Sequence, residues 1–117
     1  MINNFKDLKI WQKGMDLTKN VYVATSRFPI EERYGLISQI RRAAVSIPSN
    51  IAEGHSRKTS KDFKQFIAIA KGSLSELETQ ILISSQLNFV SDKEFKIIYE
   101  NIKELEKMIA SFYGKLQ

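Results

Sequence analysis

The residue types that most often carry catalysis are scarce in this chain. It contains a single histidine, His55, and no cysteine. This excludes a histidine-based triad, a thiol nucleophile and a thiolate zinc site within one chain. Some all-helical ribonucleases use an arginine followed closely by a histidine, but Arg41 and Arg42 lie well before His55. No glycine-rich phosphate-binding loop of either common type occurs. We therefore expect a chain that is not an enzyme and has no metal and no cofactor.

Acidic side chains offer one further catalytic possibility. Glu53, Glu76 and Glu78 could form paired carboxylates for acid–base or metal chemistry. We favour a structural interpretation, in which polar residues on helix flanks form hydrogen bonds and ion pairs that fix the register between helices. The residues assigned to this polar network are Arg41, Arg42, Asn50, Glu53 and Glu76.

Positive charge is concentrated in the middle of the chain. The whole sequence has 18 Lys and Arg against 13 Asp and Glu, a formal charge of +5. Residues 33–71 alone contain eight basic and two acidic side chains. Such a segment attracts the phosphate backbone of nucleic acids, although basic segments also occur on surfaces that contact only solvent. Charge alone leaves both interpretations open.

The spacing of apolar residues predicts an all-α chain. Four segments show a spacing near 3.6 residues, and none shows a sustained period of two. We predict helices over about residues 7–26, 31–54, 59–88 and 91–113. Because the connections are short, consecutive helices should be antiparallel, which gives an up-down-up-down four-helix bundle. The length suits one domain spanning residues 1–117.

Capping residues and helix breakers set the predicted helix ends. The acidic Glu31 suits the start of the second helix, and Gly54 is predicted to end it as a left-handed cap. Pro48 lies inside that helix and is expected to kink it without ending it, because the apolar stripe keeps its phase. Capping boxes that begin at Thr59 and Ser91 open the third and fourth helices.

Each predicted helix turns one apolar stripe toward the core. The first helix contributes Leu8, Trp11, Met15 and Tyr22, with Leu17 and Val21 beside them. The second contributes Leu36, Ile40, Ala43, Ala44, Ile47 and Ile51. The third contributes Phe63, Phe66, Ile67, Ala70, Leu74, Leu77, Ile81 and Ser85. The fourth contributes Phe95, Ile98, Ile102, Leu105, Ile109 and Phe112.

Some apolar residues of the second and third helices lie outside these stripes. At about 100° per residue they point away from the core, where a monomeric bundle normally has polar side chains. We interpret them as a homo-oligomer interface, although single exposed apolar residues are also common on monomers. The assigned interface residues are Val45, Ile69, Gly72, Ile83 and Leu87. Self-association would bring several copies of the basic segment together.

The sequence also bears on location. The first residues lack a basic stretch followed by an apolar one, and no apolar run approaches the roughly 20 residues of a membrane span. We expect a soluble, cytoplasmic protein that does not contact membranes.

Five stretches resemble one bacterial protein family. They are Phe5–Lys13, Phe28–Pro29, Tyr34–Leu36, Gln39–Gly54 and Gly72–Gln80. The resemblance that they carry covers nearly the whole chain. The chain is similar to the four-helix bundle family encoded within intervening sequences of 23S ribosomal RNA genes, often labelled S23 ribosomal protein. That label reflects gene location. The resemblance implies an antiparallel four-helix bundle, commonly a homopentamer, with no established enzymatic activity.

A related branch of this family adds two expectations about partners. The accessory variability determinant of diversity-generating retroelements is a basic pentameric barrel that binds nucleic acid and a reverse transcriptase. We predict an oligomer, with a pentamer implied by the resemblance, that binds RNA or DNA through phosphate contacts. If arginines of the second helix are held in ion pairs, the available cations are Arg57, Lys58, Lys61, Lys64 and Lys71. The alternatives are a scaffold that docks a partner protein such as a reverse transcriptase and, more weakly, a bundle that binds a small ligand or metal.

Overall fold

Four α-helices account for most of residues 4–117, the part of the chain that the computed structural model describes. The helices are α1 (Lys9–Thr25), α2 (Leu36–His55), α3 (Ser60–Gln86) and α4 (Asp92–Lys115). Two single-turn 3-10 helices, Phe5–Asp7 and Ile30–Glu32, precede α1 and α2. No strand occurs within the described residues, so the all-α prediction is confirmed.

The helices form an antiparallel up-down-up-down bundle. Each consecutive pair packs side by side, and α1 also packs against α4, so α1 and α3 lie on one diagonal and α2 and α4 on the other. The bundle measures 43 × 24 × 19 Å. The predicted architecture is therefore confirmed. One end of the bundle brings together the start of α1, the α2–α3 connection and the end of α4.

The core follows the predicted stripes of α2 and α4 closely. On α2, the residues from Ile40 to Ile51 that share its inner face are buried. On α4, the buried residues are Ile98, Ile102, Leu105 and Ile109. The aromatic rings at the two ends of α4, Phe95 and Phe112, are half-buried and pack against the core. A regular 3.6-residue spacing and branched aliphatic side chains set these two faces.

Leu8, Leu17 and Val21 are buried as predicted, but the rest of the predicted stripe of α1 is wrong. Its buried residues are Ile10, Gly14, Leu17, Val21, Ala24 and Thr25. Trp11 and Met15 are only half-buried, and Tyr22 is 41% exposed. Gly14 lies on the buried face, where an added Cβ would be at an ordinary contact distance, 3.5 Å, from side-chain atoms of Ile47 and Pro48. The inner face of α1 is thus centred beside the predicted stripe of large side chains.

The predicted inner face of α3 needs one smaller correction. Phe63 and Phe66 are half-buried at the start of the helix. At its end Ser84 is fully buried, whereas Ser85 is half-buried. The Ser84 hydroxyl donates to the Gln80 carbonyl oxygen at 2.8 Å, which satisfies the buried polar group.

Two predicted boundaries of α2 are also wrong. The helix begins at Leu36, because Gly35, with φ −111° and ψ −109°, separates it from the 3-10 turn that contains Glu31. At the other end α2 continues through Gly54 to His55, and no glycine among residues 4–117 has a positive φ. Gly54 is not a left-handed cap.

Gly54 instead allows α2 and α3 to pack closely. A Cβ at this position would lie 2.7 Å from Cβ of Phe66 and 2.8 Å from Cδ1 of Phe63. Both distances are shorter than real Cβ contacts, so only glycine fits. The helix also passes through Pro48 without ending, as predicted.

The N-cap residues of the two predicted capping boxes are confirmed. The Thr59 hydroxyl accepts a hydrogen bond from the Asp62 amide at 3.1 Å. The Ser91 hydroxyl accepts one from the Glu94 amide at 3.1 Å. These bonds satisfy amides that have no partner within their own helices. They fix where α3 and α4 begin and hold the α2–α3 connection to residues 56–59.

Candidate nucleic-acid interface

The five cations predicted to contact nucleic acid lie along the α2–α3 connection and the first half of α3. Arg57 and Lys58 belong to the connection, and Lys61 and Lys64 to the first two turns of α3. Lys71 lies two helical turns beyond Lys64, about 10 Å along the axis. All are exposed except Lys64, which is half-buried. The fold therefore places four of them at one end of the bundle and extends the set along α3.

Arg57 is held by its own chain. Its Nη2 lies 2.9 Å from Oε2 of Glu53, one turn earlier. Its guanidinium also lies 4.8 Å from the centre of the Phe66 ring, a cation–π distance. The charge of Arg57 is thus partly balanced, and its side chain is oriented by α2 and α3.

The lysines are less constrained. The Lys64 ammonium lies 5.0 Å from the centre of the Tyr113 ring on α4. Within residues 4–117, neither Lys64 nor Lys58, Lys61 or Lys71 forms an ion pair with a carboxylate. Four positive charges on this surface therefore have no carboxylate partner in the described chain. We call Lys58, Lys61, Lys64 and Lys71 the lysine row.

An ion-pair cluster in the middle of the bundle lies beyond the lysine row. Glu78, two turns after Lys71 on α3, binds Lys103 of α4 at 2.7 Å. Lys103 also lies 3.3 Å from Glu106. The hydrogen bond from Lys103 lowers the pKa of Glu78, and the same bond raises the pKa of Lys103. Within the described residues, the lysine row thus has no ion pairs, whereas Lys103 is paired at the middle of the bundle.

The five residues of the predicted polar network do not meet at one place. Arg41 Nε donates to the Thr25 hydroxyl at 2.9 Å, and its guanidinium lies 4.5 Å from the centre of the Tyr22 ring. Arg41 therefore joins α2 to α1. Glu53 pairs with Arg57.

Asn50 takes part in a separate contact between α2 and α3. Its side-chain amide donates to the carbonyl oxygen of Ser46 at 2.8 Å and to the Ser46 hydroxyl at 2.9 Å. The hydroxyls of Ser46 and Ser73 are 2.8 Å apart and join the two helices. The serines that make this bridge were not assigned from the sequence, because serine at helical spacing carries no distinctive signal.

Arg42 and Glu76 have no ion-pair or hydrogen-bond partner among the described residues. Both are exposed. Arg42 lies one turn before Ser46 and Glu76 one turn after Ser73, so the antiparallel serine bridge places them at a similar level of the α2–α3 edge. Two opposite charges without ion-pair partners therefore lie on this surface.

The predicted oligomer-interface residues lie on two different faces. Ile69, Ile83 and Leu87 are 50%, 42% and 53% exposed and follow one side of α3. Gly72 belongs to the same helix, and a Cβ there would have nothing within 4 Å. Val45 lies apart from them, in a groove of about 390 Å³ between α1 and α2 that Trp11, Met15 and Pro48 also line.

Three further lysines lie at the same end of the bundle and were not singled out from the sequence. Lys9, Lys107 and Lys115 surround a groove between the start of α1 and the end of α4. Lys9 is far in the sequence from Lys107 and Lys115, and it becomes their neighbour because α1 and α4 are antiparallel. These lysines would have been found if the charges had been counted by their level along the axis of the predicted bundle and not by their position in the sequence.

Other kinds of site have less support. Among residues 4–117, no group of three or more His, Asp or Glu side chains is placed to hold a metal ion. His55 is half-buried, with its ring 5.9 Å from that of Phe63. No helix in this range has both the length and the apolar composition of a membrane span.

The fold and the site together define a class: an antiparallel four-helix bundle with a row of lysines that begins at one end and continues along α3. The model of the family described as 23S rRNA-intervening sequence protein matches residues 6–111. The chain belongs to this family. It is also similar to the crystal structure of a protein of unknown function from the S23 ribosomal protein family of Bacteroides thetaiotaomicron. The two share 21% identity over 89% of this chain and 97% of that one, with a TM-score of 0.80. That likeness bears on the fold. No curated protein matches the sequence.

Proposed function

We propose that this chain is a non-enzymatic homo-oligomer that binds nucleic acid through phosphate contacts from the lysine row, with Arg57 at its edge. The observation that carries the proposal is the set of four lysines with no carboxylate partner in the described chain. Unpaired cations keep their full attraction for phosphate, whereas paired ones must first give up a carboxylate.

The geometry favours backbone contacts over base recognition. Lys61 and Lys71 are ten residues apart on α3, about 15 Å along the axis. A duplex carries roughly nine phosphates over that length. Lysine is a flexible point charge that lacks the planar fork with which arginine reads guanine. Binding should therefore depend weakly on base sequence.

Self-association is the second part of the proposal. We propose that further copies of this chain cover its two apolar faces, the exposed side of α3 around Ile69 and Ile83 and the α1–α2 groove around Val45. The α3 face and the α1–α2 groove around Val45 are distinct surfaces, so one face of a copy can pack into the other face of the next. Contacts of this kind between different surfaces produce rings when the rotation closes. Arg42 and Glu76 offer opposite charges beside the α3 face. Five copies is the number implied by resemblance to pentameric relatives.

Charge reversal tests the nucleic-acid contact. We expect K58E/K61E/K64E to weaken binding to labelled duplex RNA and duplex DNA at least tenfold, to a similar degree for different sequences. The matched control is K19E/K93E/K96E, which changes the net charge equally but alters lysines outside the row. An equal loss of binding in both variants would show that only net charge matters and would refute the proposed interface. Binding of neither nucleic acid by the unaltered protein would favour a protein-binding scaffold.

Light scattering tests self-association. We expect I69E/I83E to reduce the oligomer to smaller species, because each glutamate would have to be buried without a partner. I97E is the control, since Ile97 is a similarly exposed isoleucine on α4, 48% against 50% for Ile69. An unchanged mass for I69E/I83E, with helical content intact by circular dichroism, would contradict the α3 face as an interface.

A further inference from the structure

An open apolar groove lies between the start of α1 and the end of α4. It has a volume of about 540 Å³. Its floor is formed by Leu8 and Ile10, which are nearly fully buried, and by Met108 and Phe112, which are half-buried. None of residues 4–117 covers this part of the apolar surface of α4.

Positive charge surrounds this groove. Lys9, Lys107 and Lys115 line it, and Asp7 is its one acidic lining residue. None of the three lysines pairs with a carboxylate within the described part of the chain. An apolar floor with unpaired cations at the rim matches a ligand that is apolar on one side and acidic on the other.

The middle of the same α1–α4 surface differs. There Lys13 of α1 binds Glu104 of α4 at 2.8 Å, and this hydrogen bond raises the pKa of Lys13. The residues around that pair are polar or charged. Cation and carboxylate therefore satisfy each other at mid-bundle, whereas the cations at the groove lack such a partner.

We propose that this groove docks an acidic amphipathic helix of a partner protein. Apolar side chains on one face of that helix would cover the floor, and its carboxylates would pair with the rim lysines. Met108 suits this role, because its unbranched side chain adapts to different apolar surfaces. A nucleic acid has no aliphatic face to cover such a floor. A second copy of this chain, with a net charge of +5, is a poorer match for a cationic rim.

This inference is independent of the proposed nucleic-acid site. The groove belongs to α1 and α4, whereas the lysine row belongs to the α2–α3 connection and α3. The proposed interface between copies uses the outer side of α3 and the α1–α2 groove, so the α1–α4 groove stays open in the oligomer.

Fluorescence anisotropy with designed peptides tests the docking site. The probe is a labelled helical peptide of about 14 residues with leucine on one face and glutamate on the other. Two control peptides replace all leucines by serine or all glutamates by lysine. We expect saturable binding of the leucine–glutamate peptide and binding at least tenfold weaker for both controls.

Variants locate the peptide on the protein. K107E/K115E should weaken the leucine–glutamate peptide about tenfold or more. K93E/K96E carries the same charge change at the other end of α4 and should alter the affinity less than about twofold. The K58E/K61E/K64E protein should retain most of its peptide affinity, which separates this site from the nucleic-acid site.

Four results would overturn the inference. One is that K107E/K115E and K93E/K96E bind the leucine–glutamate peptide equally well. Another is that the serine–glutamate peptide binds as tightly as the leucine–glutamate peptide, because binding would then reflect only general charge attraction. A third is saturable binding of laurate without binding of the peptide, which would assign the groove to fatty-acid anions. The fourth concerns S111W, whose tryptophan should fill the groove. A smaller oligomer by light scattering for this variant would show that the groove is an interface between copies.

Discussion

At the scale of single residues, one glycine decides how closely two helices pack. At Gly54 an added Cβ would overlap Phe63 and Phe66 of α3, whereas at Gly14 it would lie at an ordinary contact distance from Ile47 and Pro48. At Gly114, by contrast, an added Cβ would have no atom within 4 Å. The role of each glycine thus depends on what faces it, which the sequence does not state.

Gly54→Ala tests the close approach of α2 and α3. The added methyl group would overlap Phe66 and Phe63, and overpacking of this kind typically costs about 1–3 kcal/mol of unfolding free energy. Urea denaturation followed by circular dichroism measures the change. Gly114→Ala, where the methyl group enters open space, should be neutral or slightly stabilising. A G54A protein as stable as the unaltered one would contradict the packing described for this crossing.

At the scale of helices, the contact between α3 and α4 depends partly on the ion pair of Glu78 and Lys103. The Glu78 side chain is 17% exposed and that of Lys103 is 43% exposed. The pKa of Glu78 is lowered mainly by its hydrogen bond from Lys103. A lowered folded-state pKa contributes stability above the unfolded-state value of about 4.5 and loses it as the pH falls through the folded value.

Glu78→Gln should therefore destabilise the bundle at neutral pH and have less effect in acid. The expected loss is about 1 kcal/mol or less, because Lys103 is partly solvated and keeps Glu106 as a partner. Unfolding free energies at pH 7 and pH 3.5 measure it. Glu100→Gln, at an exposed position on α4 with no ion pair in the described chain, should show no such pH dependence. A penalty for E78Q that is as large at pH 3.5 as at pH 7 would contradict the ionic role of Glu78.

The helices also show how far the sequence could predict the fold. The inner faces of α2 and α4 were predictable because regularly spaced aliphatic residues leave one possible face. On α1 the large side chains of Trp11 and Tyr22 suggested an inner face, but the residues that are buried lie beside them. Helix ends marked by a side-chain cap, at Thr59 and Ser91, were predicted correctly. The end at Gly54 was not, because a glycine required for packing resembles one required for a cap.

The candidate site was only partly predictable. The lysine row was visible because its members are close in the sequence. The pairing of the neighbouring charges was not, since the ion pair of Arg57 with Glu53 and the contact of Lys64 with Tyr113 depend on side-chain geometry. The groove lysines, Lys9 and Lys107 among them, become neighbours only through the antiparallel arrangement of the first and last helices.

At the scale of the whole molecule, charge is distributed unevenly along the bundle. The end that carries the α2–α3 connection has the lysine row and the groove lysines, whereas the middle has paired charges around Lys103 and Lys13. A ring of several copies would repeat this end and deepen its positive potential. The proposed function follows from this distribution more than from any single residue.

The salt dependence of nucleic-acid binding tests this account most directly. The affinity of the protein for one duplex would be measured between about 50 and 200 mM salt, for the unaltered sequence, K58E/K61E/K64E and K19E/K93E/K96E. The logarithm of the affinity falls linearly with the logarithm of the salt concentration, and each lost phosphate contact makes this fall less steep by about 0.9 for a duplex. For K58E/K61E/K64E we predict a slope that is less steep by about two to three for each protomer that contacts the duplex. For the control we predict a much smaller change. The same slope for all three proteins, or binding that does not respond to salt, would contradict a phosphate-binding lysine row.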